Sequence, residues 1–230
     1  PQPYSQMFNA DQFALPQNYR KAAAPNEIKR LRNWRAHSEA EDMSEEELKE
    51  AMAHYCGQIR YVDDQLGRIM DCLEDEGIEE ETIIIFWSDH GEFLGDYGLT
   101  HKGLMFYDCL VRIPLIIYDP SGKLHSGVNQ DLVESVDVMP TILDLLSLPQ
   151  LATSRAQSLV DTNYTPRPDV FAEGGIYAQQ PNKPITDYAI KAPHDPTQWG
   201  PGSMLRTKEW KVVVYADGDG ELFDLINDPH

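Results

Sequence analysis

Residues 81–103 read ETIIIFWSDHGEFLGDYGLTHKG. Five apolar residues, Ile83 to Trp87, run straight into Ser88-Asp89-His90-Gly91, and a His-Lys pair follows at 101–102. A continuous β-branched run bounded by acids reads as a strand buried on both faces, as in a parallel sheet. In α/β sheets, ligands gather at the carboxyl ends of strands, where Asp89 and His90 stand. Asp offers a hard oxygen, His a neutral imidazole nitrogen, and Gly91 lets the chain turn sharply beside them. Two adjacent residues do not complete a metal site, so other ligands have to come from elsewhere. On these four residues alone, a turn capped by Asp89 with His90 as a satisfied polar residue explains the corner equally well.

The rest of the loop argues for chemistry. Gly91, Gly95, Gly98 and Gly103 allow it to fold closely around something small. Lys102 follows His90 by twelve residues. An ammonium beside a divalent cation is repelled unless an anion lies between them, and sulfate or phosphate suits that position.

Working outward, residues 44–76 carry a helix signal. Ser44 and Glu47 form a capping-box pair, apolar residues recur every three or four positions from Leu48 to Leu73, and Gly77 ends the pattern. Gly57 and Gly67 mark places where it could bend. RIPLIIYDP (112–120) is a second strand of the same kind, with Pro114 at its start or at a sheet edge. Asp137 caps a further helix that has Pro140 in its first turn. Helix, strand, loop, strand and helix in this order give an α/β body. Residues 1–40 and 150–203 read as irregular and proline-rich. SMLRTKEWKVVVYADGDGELFDL (203–225) reads as an antiparallel meander, with turns near Lys208-Glu209 and at Asp217-Gly220. A boundary near residue 160 separates the body from a small α+β appendage.

The 230 residues are 41% hydrophobic and carry a net charge of −19. Residues 39–50 hold seven acids against one Lys, and residues 71–81 seven against none. These runs read as solvated helix faces, and such a chain is a poor partner for duplex nucleic acid. No apolar run has the length of a membrane span. Cys56, Cys72 and Cys109 lack metal-binding spacing and read as reduced core thiols.

At this point the phrases resemble a known family. IIIFWSDHGEFLGDYGL-x-HKG followed by MFYDCLVRIPLII is similar to the metal-and-lysine segment of sulfatases, in the alkaline phosphatase-like superfamily. HYCGQIRYVDDQLGRIMDCLEDEGIEEET resembles the family's preceding helix, and VESVDVMPTILDLLSLP its following one. MLRTKEWKVVVYADGDGELFDLINDP resembles its C-terminal segment. The likeness covers roughly residues 1–160 and 203–230. It implies part of a mixed or parallel sheet flanked by helices over 1–160, then a smaller subdomain with an antiparallel sheet over 161–230. It also implies that Asp89 and His90 bind a divalent cation, usually Ca2+, with Mn2+ or Zn2+ in some relatives. Lys102 would contact the transferred sulfuryl group and the leaving oxygen, with His101 a second candidate in that pocket. Arg112 reads as structural.

The resemblance also shows what is missing. Sulfatases use a formylglycine made from Cys or Ser in a C/S-x-P/A-x-R motif of their N-terminal part, and that motif is not found here. Cys56-Gly57-Gln58-Ile59-Arg60 has Gln at the critical position and lies mid-helix, where Cys56 belongs to the apolar stripe. Asp63-Asp64 also falls within the helix and reads as structural. The expectation is therefore the C-terminal part of a sulfatase-like enzyme, cut at both ends and inactive in isolation. The parent would hydrolyse a sulfate ester, with a phosphonate monoester or phosphodiester as the alternative. A non-catalytic module binding an anion or a glycan is a third reading. His194, Trp199 and Arg206 lie near one another in sequence and suit a sugar, which favours a carbohydrate sulfate. Oligomeric state and compartment stay open.

Overall fold

The computed structural model describes residues 1–20, 23–38, 42–151, 155–161, 163–175 and 200–228. A short helix α1 (Lys29–His37) precedes the long helix α2 (Glu45–Asp75). The capping box is formed: the Ser44 hydroxyl accepts from the Glu47 amide at 3.2 Å, and the Glu47 carboxylate accepts from the Ser44 amide at 2.8 Å. Gly77, at φ +68°, ends the helix. Its amide donates to Glu74 O, and that of Ile78 donates to Leu73 O. This pairing needs a left-handed residue, which glycine supplies without strain. Helix α2 is continuous through Gly57 and Gly67.

Strand β1 (Ile84–Trp87) follows, then a single helical turn α3 (Asp108–Val111) and strand β2 (Leu115–Tyr118). The two strands pair antiparallel, with Ile84 opposite Tyr118 and Trp87 opposite Leu115. This corrects the expectation of strands buried on both faces in parallel array. The connection through α3 turns back instead of crossing over the sheet, which fixes an antiparallel partner. Trp87 and Ile116 remain largely exposed.

Helix α4 (Val138–Leu145) begins at Asp137 as expected, but the Asp137 carboxylate does not cap it. It accepts from the Glu134 and Gln157 amides and pairs with Arg167 at 2.6 Å. Arg167 also pairs with Glu134, whose carboxylate accepts from the Phe171 amide at 2.6 Å. This buried network fastens α4 to β3 (Val170–Gly174), a strand inside the stretch read as irregular. Strands β4 (Gly202–Arg206), β5 (Trp210–Tyr215) and β6 (Gly220–Asp224) complete an antiparallel meander in the order β3-β4-β5-β6, and both turns fall where the sequence places them.

Met105-Phe106-Tyr107 joins the two halves. Met105 and Tyr107 pack with Leu31, Phe93, Leu99 and Leu110, while Phe106 packs with Met204, Val213 and Tyr215 from the meander. On β5, alternate residues Lys211, Val213 and Tyr215 point inward. The buried Lys211 ammonium is compensated by Asp108 at 2.8 Å, the Phe106 carbonyl at 3.2 Å and the Phe223 ring at 4.2 Å. The cysteine expectation holds in part, since Cys56 and Cys109 are half-buried but Cys72 is exposed.

Candidate functional site

The corner at the end of β1 is built around Gly91. A methyl group there would lie 1.9 Å from the Cys109 carbonyl oxygen, so only glycine lets α3 pass this close. The Gly91 amide donates to Leu110 O at 2.8 Å and the Glu92 amide to Cys109 O at 3.0 Å. The polar corner is thereby locked onto a buried backbone turn. Burial pushes the neighbouring Cys109 thiol up to about 12, which keeps it protonated and inert.

His90 is oriented by its own loop. Its Nδ1 lies 2.8 Å from the Gly91 carbonyl oxygen, so the proton sits on Nδ1 and the lone pair is left on Nε2. That nitrogen lies 3.5 Å from Asp89 Oδ2 and in direct hydrogen-bond contact with Lys102 Nζ. Asp89 is largely exposed. Slight desolvation raises its pKa, but the hydrogen bond from the His90 amide and the nearby His90 and Lys102 hold the carboxyl below its ordinary range. It is a carboxylate at neutral pH.

The donor set suits a divalent cation in part. Two ligand atoms at about 2.4 Å from one ion and at right angles are about 3.4 Å apart, close to the separation of Asp89 Oδ2 and His90 Nε2. Among the described residues, no group of three or more His, Cys, Asp and Glu side chains converges on such a point. The pair offers two donors, fewer than any divalent-cation shell needs.

Lys102 is carried by a loop that departs from ordinary backbone three times. Leu94, Tyr97 and His101 have φ of 44°, 55° and 62°. Each left-handed non-glycine residue costs about 1 kcal/mol or more and needs support from its surroundings. The Tyr97 ring packs on Tyr107 at 4.4 Å, and its carbonyl accepts from Arg35 at 2.7 Å. The His101 carbonyl accepts from the Phe93 amide at 3.0 Å, inside the core. Gly98 closes against the chain, since a methyl there would meet Arg20 O at 1.8 Å. The loop is thus a packed element in its own right.

The structure brings Asp89, His90 and Lys102 together, with His101 exposed beside them. Arg206 lies on β4 and pairs with Asp108, alongside Lys211. His194 and Trp199 lie outside the described residues. Cys56 and Asp63-Asp64 lie on α2, where Asp64 accepts from Tyr4 and pairs with Arg60. Arg30, Trp34 and Arg35 of α1, which all contact the loop, went unrecognised. Their signal was a stripe at 30, 31, 34 and 35 in which arginines occupy two of the inward positions.

A strand-end Asp-His pair facing a lysine, on a mixed α/β body with an antiparallel appendage, places the chain in the alkaline phosphatase-like class of folds. Within that class, residues 1–148 match the sulfatase family model, and the chain belongs to the sulfatase family. It is 37% identical over 193 residues to the multifunctional alkaline phosphatase superfamily protein PehA of Trinickia caryophylli, covering 82% of this chain and 37% of that protein. It is 31% identical to arylsulfatase K of Danio rerio, covering 80% and 34%. The phosphonate monoester hydrolase of Agrobacterium radiobacter superposes with a TM-score of 0.75 at 26% identity, over 100% of this chain and 48% of that one. The chain therefore spans between a third and a half of the length of these relatives.

Proposed function

We propose that the protein carrying this chain hydrolyses sulfate esters. The observation that carries this reading is the contact between Lys102 and the Asp89-His90 corner in a member of the sulfatase family. Asp89 Oδ2 and His90 Nε2 would hold a divalent cation, Ca2+ being the first choice and Mn2+ or Zn2+ the alternatives; the ion would take the Nε2 lone pair that the Lys102 ammonium occupies here, and Lys102 would turn to the substrate. When bound, that ion supplies positive charge that stabilises the oxyanion of the transferring group.

The residues of this chain do the following. Asp89 and His90 present two fixed donors, with the His90 tautomer set by the Gly91 carbonyl. Lys102 places its ammonium against the sulfuryl oxygens and the leaving oxygen. A formylglycine hydrate held by the rest of the parent would supply the nucleophile that forms a new O–S bond, its hydroxyl proton passing to a base in that part, as the S–O bond to the alcohol breaks. The leaving alkoxide would take a proton from Lys102 or a neighbouring His, for which His101 is a candidate. The choice of a sulfated carbohydrate rests on His194 and Trp199 in the sequence.

The likeness to PehA and to the phosphonate monoester hydrolase favours a second reading, in which the same corner serves a phosphonate monoester or phosphodiester. Rates of the full-length parent on 4-nitrophenyl sulfate and on a 4-nitrophenyl phosphonate ester separate the two. A kcat/KM higher for the sulfate supports the first reading, and the reverse order supports the second. Lys102→Ala is expected to lower kcat by roughly a hundredfold or more, and retention of the full rate removes Lys102 from the chemistry. The isolated 230-residue chain is expected to turn over no faster than its own Lys102→Ala variant.

A further inference from the structure

Helix α1 touches the Lys102 loop in a regular way. Arg30 donates from Nη1 to Leu104 O at 2.9 Å, Trp34 from Nε1 to Thr100 O at 3.3 Å, and Arg35 from Nη2 to Tyr97 O at 2.7 Å. Thr100 stands two residues before Lys102 and Leu104 two residues after it. Arg30 and Trp34 are four apart, so they are neighbours on one helix face. The His101-Lys102 dipeptide, with His101 in its left-handed conformation, is held between two donors from successive turns of one helix.

Arg30 reaches further. Its Nη2 donates to Gly200 O at 2.7 Å, at the entrance to β4, and its guanidinium lies over the Tyr215 ring at 4.2 Å. The side chain is fully buried, and its Nε has no hydrogen-bond partner among the described residues. Asp217, Asp219 and Glu221 supply negative charge at longer range. Burying a guanidinium without a contacting carboxylate is costly. What Arg30 adds is a planar fork that holds two carbonyls from two segments at once.

We propose that Arg30, seconded by Trp34, is the positioning residue of Lys102, fixing the loop between α1 and the four-stranded sheet. The inference rests on the hydrolase reading of the corner. The Lys102 side chain is long and exposed, so its reach toward the substrate is set by where its backbone is held.

The test is a double-mutant cycle in the full-length parent. Arg30→Lys keeps the cation, but a single nitrogen does not span both carbonyls. Misplacement of a catalytic group by about 1 Å costs up to a hundredfold, so kcat is expected to fall roughly ten- to a hundredfold with KM changed less than about threefold. In a Lys102→Ala background, the same substitution is expected to change the rate less than about twofold, because its effect passes through Lys102. An equal loss in both backgrounds, or no loss, overturns the proposal. If Arg30→Lys fails to fold, Trp34→Phe, which removes the N–H donor together with part of the indole ring, carries the same cycle, and additivity with Lys102→Ala overturns it. If the unaltered parent hydrolyses neither ester, the hydrolase reading fails by itself. The clamp is then read by acetic anhydride labelling: the ratio of acetylation at Lys102 to that at exposed Lys208 is expected to rise in Arg30→Lys, and an unchanged ratio overturns it.

Discussion

Replacing Gly91 by Ala tests the construction of the corner most directly. The added methyl would lie 1.9 Å from the Cys109 carbonyl oxygen and 3.2 Å from Leu110 Cα. An ordinary carbon–oxygen contact is about 3.3 Å, so the two backbones must part by about 1.4 Å. Both are main chain, and no side-chain rotation relieves the overlap. The separation breaks the Gly91–Leu110 and Glu92–Cys109 hydrogen bonds. Leaving buried partners unsatisfied costs about 1–3 kcal/mol each, so the variant should lose about 2–6 kcal/mol. Against a typical domain stability of about 5–15 kcal/mol, this is a large fraction. Urea unfolding followed by tryptophan fluorescence would show a lower midpoint at unchanged m. Gly67→Ala is the control, since a methyl at Gly67, within α2, meets nothing within 4 Å. It should stabilise by about 0.5–1 kcal/mol. If Gly91→Ala stays within about 0.5 kcal/mol of the unaltered protein, the packing account of the corner is wrong.

Arg167→Met would leave Glu134 and Asp137 buried with one cation fewer. The expected cost is about 3–5 kcal/mol in the same urea assay, and a loss below about 1 kcal/mol would show that the network is dispensable. Acid should act through the same group. Burial raises the Glu134 pKa, but Arg155, the Phe171 amide and Arg167 outweigh it and hold the carboxyl below its ordinary range. Desolvation of Asp108 is likewise outweighed by Lys211 and Arg206. Both folded values lie below the unfolded ones, so the unfolded chain binds more protons, and stability is lost as pH falls from about 4 downward. The thermal midpoint should drop as pH falls from about 4 toward about 2, and less steeply in Arg167→Met. A flat profile over that interval would contradict the assignment.

Much of the corner was legible because its signals are local. The Ser44/Glu47 pair, the Gly77 stop and the Asp217-Gly220 turn each depend on a few adjacent residues. Ser-Asp-His-Gly after an apolar run locates a strand end in the same way. Strand direction was not legible, because ETIIIFW and LIIY carry the same composition whichever way they pair, and α3 contributes only one turn. Helix α1 escaped for another reason. Its inward positions include Arg30 and Arg35, and apolar periodicity does not register a buried guanidinium. Strand β3 is short and flanked by prolines, and its pairing partner lies about thirty residues away in β4. Arg206 illustrates the remaining difficulty. Its nearness to Trp199 in the sequence suggests a substrate contact, and nothing local in the sequence announces its ion pair with Asp108, about a hundred residues away.

The left-handed residues of the Lys102 loop bear on how this site could be moved or inherited. Tyr97 and His101 keep their conformations through contacts with Tyr107, Arg35 and the core beneath Phe93. Grafting residues 88–103 alone onto another scaffold would let those torsions relax and the lysine drift. The transferable unit is the loop together with a helix more than fifty residues upstream of it. On the proposal above, change at Lys102 and change in α1 are bound to one another.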